Sequence, residues 1–280
     1  MRRREFIAAI AGSAGVGRLS IAQTVQRKGR LKQAATRGCF GKGMSLEDQC
    51  REAARLGLKG IDLVGQKEWP TLKKYGLLAT MCPAGGGSIP EGINRKENHA
   101  EIEKTFRENI QAAAEAGMPN VITLSGGRKN LTDEEGLDNS VILLNKVKAL
   151  AEDKQVTICL ELLNSKVNHP GYMCDHTKWG AEVCKRVNSP RVKLLYDIYH
   201  MQIMEGDVIR TIRDNIQYIG HFHTAGNPGR HEPDETQELN YRAIAQAIVD
   251  LNFTGYLAHE YSPVREALKS LDQAISICDV

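Results

Sequence analysis

Short apolar runs rich in aliphatic and β-branched residues alternate with amphipathic helical patterns along almost the whole chain, one pair about every 30 residues. The runs cover 31–37, 59–64, 77–82, 120–125, 156–163, 192–198, 217–223 and 255–260. Helical patterns fall at 45–56, 66–75, 97–116, 137–153, 177–187, 206–215, 240–251 and 263–277. Strictly alternating units imply parallel strands joined by right-handed crossovers. Eight of them in roughly 250 residues predict one α/β domain, a (β/α)8 TIM barrel spanning 31–280. An open doubly wound sheet is the alternative, but no G-x-G-x-x-G follows the first run. Local signals agree with the division. Ser45 with Glu47 and Asp48 reads as a helix start, and Gly117 followed by Pro119 as a helix end.

A barrel of this kind carries its chemistry at the carboxyl ends of its strands. The last four runs each deliver an acid or an imidazole there: Glu161 in VTICLELLN, Asp197 in VKLLYDIYH, His221 and His223 in YIGHFHTAG, and His259 and Glu260 in GYLAHEYSP. Alone, a strand-end acid is often a helix cap and a strand-end histidine often a hydrogen-bonded structural residue. Together, three carboxylates in one barrel mouth would repel each other and be costly to desolvate. A divalent cation removes that difficulty. Three carboxylates and one imidazole, with no thiolate, suit Mn²⁺, Mg²⁺ or Co²⁺ better than a structural zinc. Residues 221 and 223 point the same way along a strand, so spacing does not choose between them. Barrel geometry favours His223, nearer the carboxyl end, with His221 one layer deeper. Such an ion polarises a substrate carbonyl and acidifies the neighbouring C–H, and a carboxylate beside it can carry the proton.

The first residues differ from the rest. MRRREFIAAIAGSAGVGRLSIAQ has a basic start, a short apolar stretch and the small-x-small tripeptide Ser20-Ile21-Ala22, and Arg3-Arg4-Glu5-Phe6-Ile7 resembles the twin-arginine export motif. Residues 1–22 are therefore expected to be an export signal and 23–30 a short linker. The mature protein would then be periplasmic or otherwise exported, and cytoplasmic if the N-terminus is not processed. The apolar stretch is too short to span a bilayer. Of 37 basic and 34 acidic residues, Arg2, Arg3, Arg4, Arg18 and Glu5 lie in 1–22, and the remainder balances at 33 of each. That balance excludes a general basic footprint for nucleic acid. Seven cysteines with no C-x-x-C pair read as small buried hydrophobes.

Two long motifs, YDIYHMQIMEGD (196–207) and GHFHTAGNPGRHEP (220–233), together with ELLN (161–164) and HEY (259–261), resemble the xylose isomerase-like barrel superfamily, and within it the hydroxypyruvate isomerase family. The resemblance runs over about residues 31–275. It implies a divalent metal held by Glu161, Asp197, His223 and Glu260. It implies that Glu161 and Glu260 are catalytic and pass a proton between adjacent carbons through a cis-enediol. His200 would touch substrate, with His221 nearby. Arg230 would hold a carboxylate or hydroxyl, as its bidentate fork suits it to do. The implied function is an aldose–ketose type isomerase acting on a hydroxypyruvate- or tartronate semialdehyde-like compound or a sugar. At position 223 several hydroxypyruvate isomerases carry glutamine, and histidine there is similar to the ketose 3-epimerases. The alternatives are such an epimerase and a non-catalytic exported sugar-binding barrel. The partner expected is a small-molecule sugar or hydroxy-keto acid, with no nucleic acid and with a homo-oligomer compatible. An apurinic endonuclease would need a basic groove and more metal ligands than this one quartet.

Three further segments are read more blandly. CPAGGGSIPEG (82–92) is expected as a long loop after strand three, LSGGRKN (124–130) as an ordinary Gly-Gly turn that could alternatively hold an anion with Arg128, and Trp69 as a helical residue near the pocket edge. Asn164, Lys166, His169 and Tyr172 are weak pocket candidates.

Overall fold

The computed structural model describes residues 25–280. The expected export signal, residues 1–22, lies outside the described residues. Eight parallel strands form one sheet in the order β2-β1-β8-β7-β6-β5-β4-β3. They are β1 (Lys32–Thr36), β2 (Gly60–Asp62), β3 (Cys82–Gly86), β4 (Asn120–Thr123), β5 (Thr157–Glu161), β6 (Val192–Asp197), β7 (Ile219–Thr224) and β8 (Tyr256–His259). The outer layer is α1 (Leu46–Arg55), α2 (Trp69–Lys74), α3 (His99–Ala116), α4 (Asp133–Lys154), α5 (Thr177–Val187), α6 (Ile198–Met204), α7 (Val208–Asn215), α8 (Tyr241–Asp250) and α9 (Ala267–Cys278). Among the described residues no helix is long and apolar enough to cross a membrane.

The barrel closes between β2 and the segment just before β3. Ile61 N–H donates to Leu78 O at 2.9 Å, Leu78 N–H to Lys59 O at 3.2 Å and Leu63 N–H to Met81 O at 2.8 Å. Gly60 permits this approach, because a Cβ there would lie 2.3 Å from Leu78 O. The third strand is thus later than the run at 77–82. That run seals β2, and Cys82–Gly86 pairs with β4 with a register shift between Cys82 and Gly86. Part of the expected loop at 82–92 is therefore strand.

Outward-facing strand residues such as Ile158, Leu160, Leu194, Tyr196, Phe222 and Leu257 pack under the helices in one apolar layer, while Met81, Cys159 and Leu195 fill the barrel interior. All seven cysteines are buried and free, as expected of small hydrophobes. Helix α4 begins at Asp133, earlier than the pattern at 137–153, because Thr132 and Glu135 form a reciprocal capping box. Helix α6 is absent from the sequence expectation. The expected strand stops at 198 and the next expected helix starts at 206, but Asp197 caps Ile198–Met204 and turns that stretch into a helix. Residues 25–30 lie along α1 and α9. Val25 N–H donates to Arg55 O, Arg27 pairs with Asp272, and the Lys28 and Gly29 N–H groups donate to Asp279.

Candidate metal centre

The strand ends converge. Glu161 is the last residue of β5, Asp197 the last of β6, His223 the penultimate residue of β7 and Glu260 the residue after β8. Register aligns Asp197 with His223 and sets His221 opposite Leu195, two residues and about 6–7 Å deeper. One ligand atom from each of Glu161, Asp197, His223 and Glu260 lies within 4.8 Å of the others. Three of the four side chains are buried, and Glu260 is 22% exposed.

His223 shows what this grouping favours. Its Nε2 sits 3.1 Å from Asp62 Oδ2, so Nε2–H is the donor. Its Nδ1 lies 2.9 Å from Glu260 Oε2 and 3.5 Å from Glu161 Oε1, yet makes no well-aligned hydrogen bond. A buried lone pair aimed at two carboxylates is stable only when positive charge sits among them. In protein alone a proton can supply it. Burial works against a charged ring, but the nearby Glu260 charge, the Asp62 hydrogen bond and the close approach of Glu161 hold the His223 pKa well above the usual imidazole range. A divalent cation would answer the same demand, and the oxygen-rich donor set fits one.

The carboxylates are not equivalent. Burial, together with the charges of Glu260 and Asp197, pushes Glu161 up. Burial also raises Asp197, more than Arg230 lowers it. Burial opposes ionisation of Glu260, but His223 and Arg230 prevail and hold it at about 2. Two carboxyl groups driven apart in this way can serve as acid and base.

Arg230 reaches the quartet from the loop after β7. Its Nη2 lies 2.6 Å from Glu260 Oε2 and 3.4 Å from Asp197 Oδ2, and its guanidinium stands 5.5 Å over the Tyr199 ring. The Arg230 backbone is left-handed (φ 57°), and its carbonyl accepts from Ser262 N–H. His200, in the first turn of α6, receives the Asn164 N–H on Nδ1 at 3.1 Å, and its buried Nε2, 3.6 Å from Asp197 Oδ2, has no hydrogen-bond partner among the described residues. Burial holds its pKa at about 3, so the ring is neutral and carries its proton on Nε2. A cleft of about 260 Å³ opens beside the site, lined by Thr36, Gly38, Arg230, Glu260, Tyr261 and Ser262.

Other candidates fall elsewhere. His221 is buried below His223 on Asp62 and does not join the quartet. His259 faces away, held by Thr224 and Gln33. Arg128 is saturated by Asp133, Asp175 and two backbone carbonyls, so LSGGRKN is a turn braced by ion pairs. Trp69 is buried and donates to Val64 O. Lys166 donates to the last carbonyls of α6, Tyr172 bonds Ser125 and Glu161 main chain, and Asn164 orders its own loop and His200. His169 sits at the mouth, its ring 5.4 Å from that of His200. The sequence reading passed over Asp62, the last residue of β2. The strand-end position in KGIDLVG was its only signal.

The sequence profile of the family described as xylose isomerase-like TIM barrel matches residues 50–277. A Xenopus laevis protein provisionally named a hydroxypyruvate isomerase is 29% identical over 197 residues, 69% of this chain and 59% of that protein, so the chain spans less than two thirds of its length. A 2-oxo-tetronate isomerase of Haemophilus influenzae is 28% identical over 244 residues, 80% of this chain and 91% of that protein. Among solved structures, one titled AP endonuclease, family 2, from Brucella melitensis superposes with a TM-score of 0.78 at 24% identity, over 86% of this chain and 96% of that one. At that identity the likeness is one of fold.

Proposed function

This chain belongs to the xylose isomerase-like TIM barrel family, and we propose that it is a divalent-metal-dependent isomerase of the aldose–ketose type. Its substrate is a small hydroxy-carbonyl compound, either a hydroxy-keto acid of the hydroxypyruvate or tartronate semialdehyde kind or a sugar. The observation that carries this reading is the quartet Glu161, Asp197, His223 and Glu260, gathered within 4.8 Å with the Nδ1 of His223 unpartnered among the carboxylates. Relatives named for hydroxypyruvate and 2-oxo-tetronate isomerisation support it.

Those four residues would hold the ion, and Mn²⁺, Mg²⁺ or Co²⁺ suits them. When bound, the ion supplies Lewis acidity that polarises the substrate carbonyl and acidifies the adjacent C–H. The remaining chemistry belongs to the chain. Glu161 and Glu260, on strands either side of His223, take a proton from one carbon and return it to its neighbour. His200 donates Nε2–H to a substrate oxygen. Arg230 offers its fork to a carboxylate or a pair of hydroxyls. Burial of the quartet keeps water from competing for the proton. Epimerisation beside a ketose carbonyl is the second reading. His223 favours it, and it uses the same two carboxylates.

The deciding experiment strips the protein with a chelator, adds back Mn²⁺, and follows exchange of substrate C–H with D₂O by NMR, using hydroxypyruvate and short ketoses. Exchange that appears only with metal is expected, and the product separates isomerase from epimerase. Absence of metal-dependent exchange with every such substrate would sink the reading. Residues 1–22 are proposed, on their arginine pair and cleavage tripeptide, to direct export to the periplasm. Fractionation with N-terminal sequencing tests this, and an intact N-terminus in the cytoplasm overturns it.

A further inference from the structure

We propose that Asp62 is a positioning residue for the metal centre, setting from inside the barrel which nitrogen of His223 is free to bind a cation. The inference rests on the quartet being a metal site, and nothing in the family comparison assigns Asp62.

Asp62 is fully buried at the end of β2. In sheet order β1 and β8 separate β2 from β7, so Asp62 reaches across the interior to meet the histidines. Its Oδ1 accepts from the Thr80 hydroxyl. Its Oδ2 lies 2.7 Å from His221 Nε2 and 3.1 Å from His223 Nε2. These are hydrogen-bond distances, so Asp62, His221 and His223 form a hydrogen-bonded triad rather than a second cation site. The rings of His221 and His223 meet edge to face at 5.3 Å and 83°. Thr80 and His221 therefore brace the carboxylate, and the carboxylate braces His223.

The consequence is a choice of tautomer. A carboxylate only accepts, so a neutral His223 must present Nε2–H to it and keep the Nδ1 lone pair. Without that acceptor, Nδ1–H would be drawn to Glu260, 2.9 Å away, and the ring would offer the site a proton instead of a ligand atom. A ligating histidine is oriented by what its other nitrogen bonds, and losing such a partner commonly lowers metal affinity on the order of 10–100-fold. A merely space-filling polar core would leave both tautomer and affinity untouched.

The test variant is Asp62→Asn, nearly the same shape. Its amide NH₂ donates toward Nε2 and so favours the opposite tautomer. In metal-free protein, at a pH high enough to neutralise the ring, long-range ¹H–¹⁵N NMR should show the one proton of His223 on Nε2 in the wild type and on Nδ1 in the variant. Titration calorimetry should show Mn²⁺ affinity about 10–100-fold weaker in the variant. His221→Gln, which leaves the Asp62–His223 bond in place, should change affinity less than about threefold. A folded Asp62→Asn with unchanged tautomer and affinity overturns the proposal. If that variant does not fold, the wild-type spectrum still decides, since a neutral ring with its proton on Nδ1 overturns it. A wild type that binds no Mn²⁺ would instead refute the functional reading, and the tautomer measurement would stand apart from it.

Discussion

The main-chain N–H of Asn164 donates to Nδ1 of His200 across 3.1 Å, and this bond turns the opposite edge of the imidazole toward the carboxylate of Asp197. The donor comes from the β5 loop and the acceptor from the first turn of α6. Two strand ends that each contribute a carboxylate are thereby tied together through a histidine that does not belong to the quartet.

Loss of the Nε2–H donor should reduce turnover without unloading the metal. His200→Leu is expected to lower kcat/KM for proton exchange about 100-fold, the usual scale for one well-placed donor. Mn²⁺ affinity should stay within about threefold. Calorimetry alongside exchange kinetics checks both halves.

Asp197 has two roles that substitution can separate. Its Oδ1 caps α6 by accepting the His200 N–H at 3.2 Å, while Oδ2 faces Arg230 and the quartet. Asp197→Asn keeps the cap and removes one of three crowded charges. The metal-free variant should melt at the wild-type temperature or above, yet lose the rise that Mn²⁺ produces in the wild type, about 2.7 kcal/mol at 100 times Kd. Asp197→Ala should in addition lose about 1 kcal/mol from the missing cap.

Substrate class can be read through Arg230. Arg230→Lys retains the charge but loses the paired N–H donors. For a substrate bearing a carboxylate, KM should rise about tenfold with kcat changed less. For a neutral sugar the rise should be small. Comparing hydroxypyruvate with short ketoses in the same variant makes the distinction.

Away from the site, Asp175 anchors the β5–α5 loop by taking both Arg128 Nη atoms, at 2.9 and 3.0 Å. Burial opposes its ionisation, but Arg128 and the Ser165 and His176 hydrogen bonds lower its pKa. A carboxylate whose pKa is lowered by folding adds stability that is complete above its unfolded value of 3.8 and lost as pH falls through the folded value. Asp175→Asn should cost about 2 kcal/mol at neutral pH, below the roughly 3–5 kcal/mol of a fully buried pair because Arg128 is 29% exposed. Denaturant melts should show the gap from wild type closing only below pH 3.8.

Much of the site was legible because a parallel barrel puts strand ends on one face. Once the alternation of runs indicated eight βα units, Glu161, Asp197 and Glu260 could be placed together from their positions in VTICLELLN, VKLLYDIYH and GYLAHEYSP. The contest over Asp197, cap or ligand, proved to be a false choice, since one oxygen caps α6 and the other faces the quartet. The third strand and α6 were misread for local reasons. The run at 77–82 has strand composition but seals β2 ahead of Cys82–Gly86, and the short helix over Ile198–Met204 has no start signal beyond Asp197 itself, which also reads as a strand end.

The sequence by itself determined the alternation, the burial faces and the residue types at each strand end, because those depend on neighbours a few positions apart. That His221 lies one layer beneath His223 was expected from barrel geometry, but only the tertiary structure decided that Asp62 holds both. Those relations span 159 and 161 residues of chain. They follow from strand register and from closure of the barrel at Gly60, which bring β2 across from β7, and no local pattern encodes a distance of that kind.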